Sequence, residues 1–320
     1  MKTQRTSAIK RGFTLMELMV AMAITTIIVT VLVSITSIAL ETWNRSRAEL
    51  RASRQAKSMI DTMARDFESL VTRRGNTSEW LSAIASTRPI GKKLESSNAS
   101  ELIFFTAATD RYNGKIGDPI DDKGGDVSCV AYRLEYRDPI DTGGSSNFET
   151  FVLNRALVNP DDTFRDLLGK TDSTKPASSL DKVFTASKYA ADLALPKNFV
   201  CENVFQFSVT FHVQVTVPAA GATPATTVSV PVMIGKKVKS FKISGTGIDA
   251  PDSDTTVGGT TISAAQISAG RITAMEVSVT VISDFGIDQL RNRTFTGGQQ
   301  ADFLAKNSYE YTKLVQIPSM

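Results

Sequence analysis

Residues 18–40 carry no charged side chain. As a helix rising ~1.5 Å per residue, that run of 23 residues reaches ~34 Å, enough to cross a bilayer core of about 30 Å. A secretory signal peptide has a shorter apolar region, about 7–15 residues, closed by a small-residue cleavage site. Here Ala21 and Ala23 come too early for such a site. The run is also long for a core helix, so a single membrane crossing is expected. Lys2, Arg5, Lys10 and Arg11 precede it without any acid. The positive-inside rule therefore places residues 1–12 in the cytoplasm and the chain beyond residue 40 outside it. Arg45, Arg47, Arg51 and Arg54 on the far side are interleaved with Glu41 and Glu49. They head a long domain of the kind that translocates largely regardless of charge.

One acid, Glu17, stands at the head of the apolar run. A carboxylate near the centre of a membrane helix costs about 2.5–3.5 kcal/mol on insertion scales, and less near an end. At headgroup level Glu17 costs little, whereas deeper in it needs a partner. Composition supplies none, because Lys10 and Arg11 stay on the cytoplasmic side.

The string Gly12-Phe13-Thr14-Leu15-Met16-Glu17, after basic residues and before an apolar helix, resembles the class III signal of type IV prepilins and type II secretion pseudopilins. The resemblance implies cleavage between Gly12 and Phe13 by a prepilin peptidase/N-methyltransferase that also methylates the new N-terminal Phe13. Glu17 then becomes the fifth residue of the mature chain and pairs with the N-terminal amine of a neighbouring subunit. Such pairing fits the physics, since two desolvated charges offset each other only when they meet. The implied partners are other pilin or pseudopilin subunits, an inner-membrane assembly platform and membrane lipid. The whole chain has 36 basic and 33 acidic residues, and loss of the leader 1–12 removes four basic residues, leaving the mature chain near neutral. Nucleic-acid binding needs a clustered basic face. Only residues 45–57 and Lys236, Lys237 and Lys239 approach one, and both read as solvated surface.

Beyond residue 40 the pattern becomes amphipathic. Ala52, Ala56, Met59, Ile60, Met63, Phe67, Leu70 and Val71 recur at spacings of three and four, opposite Arg51, Arg54, Lys57, Asp61, Arg65 and Glu68. No Pro or Gly falls between residues 13 and 74, and Arg73, Arg74 and Gly75 form a stop signal. One helix of roughly 60 residues is predicted. It has a transmembrane half, 13–40, and an amphipathic half, 41–74, whose stripe packs on a domain spanning 75–320.

That domain reads as strands at 101–107, 127–136, 148–157, 200–217 (one long strand or two pieces), 228–234, 238–243 and 272–282. Polar, Gly- or Pro-rich loops occupy 114–126, 141–147, 219–225 and 245–259. Residues 158–198 read as an insertion with short helices, one at 179–188. A long helix followed by mainly antiparallel strands is an α+β, pilin-like architecture. The length suits a minor subunit. Cys201-Glu202-Asn203-Val204-Phe205, the strand 272–281 and Val130-Ala131-Tyr132-Arg133-Leu134 are similar to strands of J-type minor pseudopilins of type II secretion.

Cys129 and Cys201 fall in strands outside the cytoplasm, where a disulfide is permitted, although two buried thiols fit equally. Asp249, Asp252 and Asp254 form a weak calcium candidate without the EF-hand pattern, and Asp118, Asp121, Asp122 and Asp126 form a weaker one. The single histidine, His212, sits in an alternating strand and reads as a strand-face residue. No nucleophile elbow, phosphate loop or zinc-protease pattern occurs, so no enzymatic activity and no cofactor are expected. Four readings remain: a minor pseudopilin, a minor type IV pilin for adhesion, motility or DNA uptake, a membrane-anchored periplasmic binding protein, and an anchored hydrolase that lacks its motif.

Overall fold

A computed structural model describes residues 14–73, 75, 78–90, 94–107, 126–139, 149–168, 180–184, 189–193, 195–218, 225–235, 238–249, 254–292 and 297–317. Two compact units emerge, residues 1–48 and 49–320. The helix α1 (Leu15–Glu68) begins in the first and ends in the second. In the first unit every described residue from 14 to 47 is exposed. In the second, α1 buries Ala52, Ala56, Met59, Ile60, Met63, Ala64, Asp66 and Phe67. All but Ala64 and Asp66 lie on the stripe that the spacing of apolar residues predicts.

The helix stops six residues short of the expected end. After Glu68 the chain turns into the sheet: the Val71 N–H donates to the Phe105 carbonyl (2.9 Å), and the Ala107 N–H donates to that of Ser69 (2.9 Å). Leu70 bridges Thr106. Leu70 and Val71, read from the sequence as helical, thus serve as strand-like anchors. A sheet edge within reach offers their backbones partners that a fraying helix end lacks.

Thirteen strands are described: β1 (Glu79–Ile90), β2 (Leu94–Thr106), β3 (Ser128–Arg137), β4 (Thr150–Val158), β5 (Phe199–Glu202), β6 (Val204–Val217), β7 (Thr226–Met233), β8 (Ser240–Ser244), β9 (Gly247–Asp249), β10 (Thr255–Val257), β11 (Thr260–Ile262), β12 (Arg271–Ile282) and β13 (Ser308–Gln316). Short helices lie between some of them: α2 (Pro160–Asp162), α3 (Tyr189–Leu193), α4 (Ala264–Ser268), α5 (Asp284–Asn292) and α6 (Gly297–Asn307). The main sheet has two runs, β9-β8-β1-β2-β3-β4-β5 and β13-β12-β6-β7. Strand pairing is antiparallel throughout except at the seam between the runs, a single parallel bridge from Ala99 on β2 to Phe207 on β6. The α+β class predicted from sequence is therefore the observed one. Residues 200–217 form two strands rather than one, broken at Asn203, which adopts the left-handed φ of +61°. Strands β1, β9, β10, β11 and β13 and helices α4, α5 and α6 were not anticipated, and β9 and β10 fall in the stretch 245–259 read as a loop. Residues 180–184 form a 3₁₀ turn within the stretch read as a short helix.

Alternation sorts the side chains. Val130, Tyr132 and Leu134 of β3 join Leu102 and Phe104 of β2, the run Phe207, Val209 and Phe211 of β6, and the stripe of α1 in the main core. The Phe67 and Phe104 rings lie 4.2 Å apart. On the opposite face of β1–β4, Trp80, Ile103, Phe105, Cys129, Ala131 and Ala156 form a second core. It is covered by Leu167, Leu180, Val183, Phe184, Tyr189 and Leu193 of the insertion. The Glu79 carboxylate fastens that cover by accepting from the Leu180 N–H (2.7 Å), and Arg133 by donating to the Phe184 carbonyl (3.0 Å).

A buried ionic network crosses the main core. Arg155 of β4, whose side chain is 0% exposed, clasps Asp66 of α1 in bidentate fashion, Nε to Oδ2 at 2.7 Å and Nη2 to Oδ1 at 2.8 Å. The Tyr132 hydroxyl donates to Asp66 Oδ2 at 2.5 Å. Burial, then the Asp66 charge beside it, holds the Tyr132 hydroxyl well above its ordinary pKa, so it remains a donor.

Candidate assembly segment

The N-terminal end of α1 is built by Thr14 and Glu17. Thr14 is the N-cap: the Glu17 N–H donates to its Oγ1 (3.3 Å), and Glu17 Oε2 accepts from the Thr14 N–H (3.0 Å). The Thr14 hydroxyl also donates to Glu17 Oε2 at 3.0 Å. Reciprocal bonding of this kind is a capping box, which satisfies donors that a helix start leaves open and sets a negative charge at the positive end of its dipole. Glu17 was read from the sequence as an acid without a partner inside its own chain. The Thr-x-x-Glu spacing ahead of an apolar run was the missed signal. Gly12 and Phe13 lie outside the described residues.

From Leu15 onward the surface is apolar and uncovered: Leu15, Met16, Met22, Ile27, Val33 and Ile38 are each at least 60% exposed. The described chain has one helix long and apolar enough to cross a membrane. Its hydroxyls are turned inward on their own backbone. Thr25, Thr26, Thr30, Ser34, Thr36 and Thr42 each donate to the carbonyl four residues back, at 2.8–3.0 Å. A side chain bonded in this way presents little unmet polarity to hydrocarbon or to a packed neighbour.

In the second unit, residues of the Glu202-Asn203 break fasten α1. Glu202 Oε1 accepts from Arg51 Nη2 (2.8 Å) and Gln55 Nε2 (3.1 Å). Asn203 donates to Asp284 Oδ1 (2.7 Å) and accepts from the Thr150 hydroxyl (2.6 Å). Arg51 reaches the other Asp284 oxygen at 3.5 Å. Asn tolerates the left-handed backbone here better than most residues. A string noted for its likeness to a family strand is thus a fastening point for the helix. Farther along, Lys313 of β13 bonds Asp61 at 2.6 Å, and that ammonium holds the Asp61 carboxyl below its ordinary range.

The other singled-out residues lie apart from this segment. Cys129 and Cys201 are free, buried thiols in different cores, on opposite sides of the sheet. Cys129 pairs across the ladder with Val158 and Cys201 with Leu153, five positions along β4, which corrects the permitted disulfide. Burial pushes the Cys129 thiol well up, and burial with the Glu202 charge pushes Cys201 up to about 12. Asp249 ends β9 and Asp254 is exposed, while Asp252, Asp118, Asp121 and Asp122 lie outside the described residues. Among the described residues no three His, Cys, Asp or Glu side chains converge to hold a metal. His212 lies on the outer face of β6, with Nε2 3.7 Å from Glu276 of β12.

Residues 8–33 match the family model described as the prokaryotic N-terminal methylation motif. That match spans Gly12, Phe13, Thr14 and Glu17 and a short part of the whole chain. No curated protein matches the chain in sequence. Among solved structures it is similar to a type IV-like pilin from Thermus thermophilus, at 10% identity and a TM-score of 0.31, covering 84% of this chain and 97% of that one. At that score no residue here takes a role from that protein.

Proposed function

We propose that the chain is a structural subunit of the type IV pilin and type II secretion pseudopilin superfamily. In this reading it is a minor, J-type pseudopilin that is anchored in the inner membrane and assembles into a short periplasmic pseudopilus. The match of residues 8–33 to the methylation motif carries the proposal. A prepilin peptidase cuts between Gly12 and Phe13, methylates Phe13 and leaves Glu17 as the fifth residue. Residues 1–12 are then a leader, 13–40 the transmembrane half of the helix and 41–74 the half that docks.

The capping box gives Glu17 a partner before assembly. In a subunit that has not yet assembled, the carboxylate is held by Thr14, so its charge is not left bare. On assembly the methylated amine of a neighbour replaces one of these bonds with a charge pair. The uncovered apolar surface of residues 15–40 packs first in lipid and then against neighbouring helices. Support for a structural rather than catalytic role comes from what is built: the buried polar groups fasten helix to sheet and cover to sheet.

Mass spectrometry of the purified protein tests the proposal. The expected mature N-terminus is N-methylated Phe13, and Gly12→Ala should leave the leader attached. A purified mature protein that retains residues 1–12 overturns it in favour of a membrane-anchored binding protein.

A further inference from the structure

We infer that the turn of α1 from Trp43 to Arg47 is a docking site for the lipid headgroup layer, with the Trp43 indole at the edge of the hydrocarbon and the Arg47 guanidinium on lipid phosphate. The inference rests on the membrane anchor proposed above. Both residues belong to the first unit and both are exposed, Trp43 at 68%. The uncharged run ends at residue 40. Trp43 follows three residues later, so its Cα lies ~4.5 Å beyond the run at 1.5 Å per residue. The headgroup and interfacial layers add about 5–7 Å on each side of the hydrocarbon core. The indole therefore falls within that layer, which suits an apolar ring body carrying one N–H donor. The side of the helix that carries Trp43 leads up to it through Thr36, Ala39 and Leu40. The Thr36 hydroxyl is turned onto the Leu32 carbonyl (2.8 Å), so the apolar surface of the span continues to the indole.

Arg47 stands one turn after Trp43 on the same side of the helix. Its Cα lies ~10 Å beyond the run, but a helical Cα–Cβ bond tilts towards the N-terminus, so the long side chain leans back to the phosphate level. The guanidinium fork matches phosphate oxygens in geometry as well as in charge. Arg45, on the opposite side of the helix, is already engaged, and Arg51 is bonded to Glu202. Among the described residues Arg47 has no hydrogen-bond or ion-pair partner, which leaves it as the cation of this turn open to a headgroup.

A span pinned at this end has a fixed depth at the other. The uncharged run of 23 residues is slightly longer than the hydrocarbon needs, and an unanchored helix can place the surplus at either end or absorb it by tilting. A core of about 30 Å takes up ~20 residues, so counted back from residue 40 it ends near Val20. Glu17 then stands ~4.5 Å outside the hydrocarbon, in the opposite headgroup layer, where its bonds with Thr14 suffice.

The test uses the full chain, unassembled, in phospholipid bilayers whose acyl chains carry bromine at defined depths. The chain has two tryptophans, and Trp80 is 3% exposed within the second core, so Trp80→Phe leaves Trp43 as the sole indole. Should Trp80→Phe fail to fold, the difference between the parent and Trp43→Phe gives the same reading. Trp43 emission is expected to be quenched most by bromines nearest the headgroup and least by those at the chain tails. Val29→Trp, with Trp43→Phe and Trp80→Phe, marks the middle of the span and should show the reverse order. Met16→Trp in that background should follow the order of Trp43. Arg47→Glu should lose most of the Trp43 quenching, whereas Arg47→Lys should keep most of it. A Trp43 left unquenched while Val29→Trp is quenched overturns the inference, because the turn then faces water or a protein neighbour. Arg47→Glu without effect overturns the phosphate contact, and a preference for tail bromines at Met16→Trp overturns the depth given to Glu17. Absence of quenching at Trp43 and Val29→Trp alike overturns instead the membrane anchor on which the inference rests.

Discussion

One helix, α1, runs through two environments and shows what each demands of a sequence. From residue 14 to residue 47 nothing is buried, and the surface is apolar with its hydroxyls bonded to its own backbone. From Ala52 to Phe67 one stripe is buried to within 5% of full cover, and the opposite side is charged. Residues of the first stretch are chosen for what surrounds the helix on all sides. Those of the second are chosen for what lies on one side. The acid in each stretch shows the same division. Glu17 is exposed and held by its neighbour in sequence, whereas Asp66 is buried and held by residues 66 and 89 positions away.

Substitutions should therefore separate the two stretches. The largest effect is expected from Glu17→Val, which should abolish incorporation into membrane-extracted assemblies while leaving cleavage and the thermal unfolding of the second unit unchanged. Normal co-purification of this variant with its assembly would break the comparison at its first term. Phe67→Ala should do the reverse and destabilise the second unit by about 3–5 kcal/mol, the usual cost of removing a buried aromatic side chain. Ile28→Ala should leave that unfolding transition where it is, and equal shifts for the two variants would show that both stretches are packed alike. Glu202→Ala removes a partly exposed acid from Arg51 and Gln55 and should cost roughly 0.2–1 kcal/mol, read as a small fall in denaturation midpoint. The smallest effect belongs to Asp61. Its folded carboxyl is held below the ordinary 3.8 by Lys313, so its contribution is complete above that value and disappears as pH falls through the folded one. Asp61→Asn should lower the melting temperature slightly at pH 7 and not at all in strong acid.

The helix and its two characters were legible because length, absence of charge and a period of three to four residues are local signals. So were β3 and β12, where strict alternation marks a face. Strand β1 was hidden because its neighbours Trp80 and Leu81 serve opposite cores and small residues follow them, so large apolar side chains do not alternate along it as they do along β3, which is also covered on both faces. Strand β13 was hidden for the opposite reason. On its Ser308–Leu314 part no residue is fully buried, so alternation there is blurred by tyrosines and a lysine whose stems only lean on the core. Asp66 was unreadable without a fold. Its partners come from β3 and β4, and only the finished sheet brings Tyr132 and Arg155 to the same carboxylate. The capping box, by contrast, is local and open to view in Thr14-Leu15-Met16-Glu17, because a Thr followed three residues later by a Glu ahead of an apolar run is its sequence signature.

The seam between β2 and β6 has a bearing on how the second unit comes apart. Among the described residues only one bridge, Ala99 to Phe207, continues the ladder across it. Backbone hydrogen bonding therefore ties β1–β5 together and β6, β7, β12 and β13 together, but scarcely ties one set to the other. What both sets share is the side-chain cluster beneath α1. Amide exchange under native conditions should resolve two cooperative openings, each confined to one run of strands. Loosening α1 should bring both openings down in free energy at once, which makes the helix the common keystone of two otherwise separable sheets.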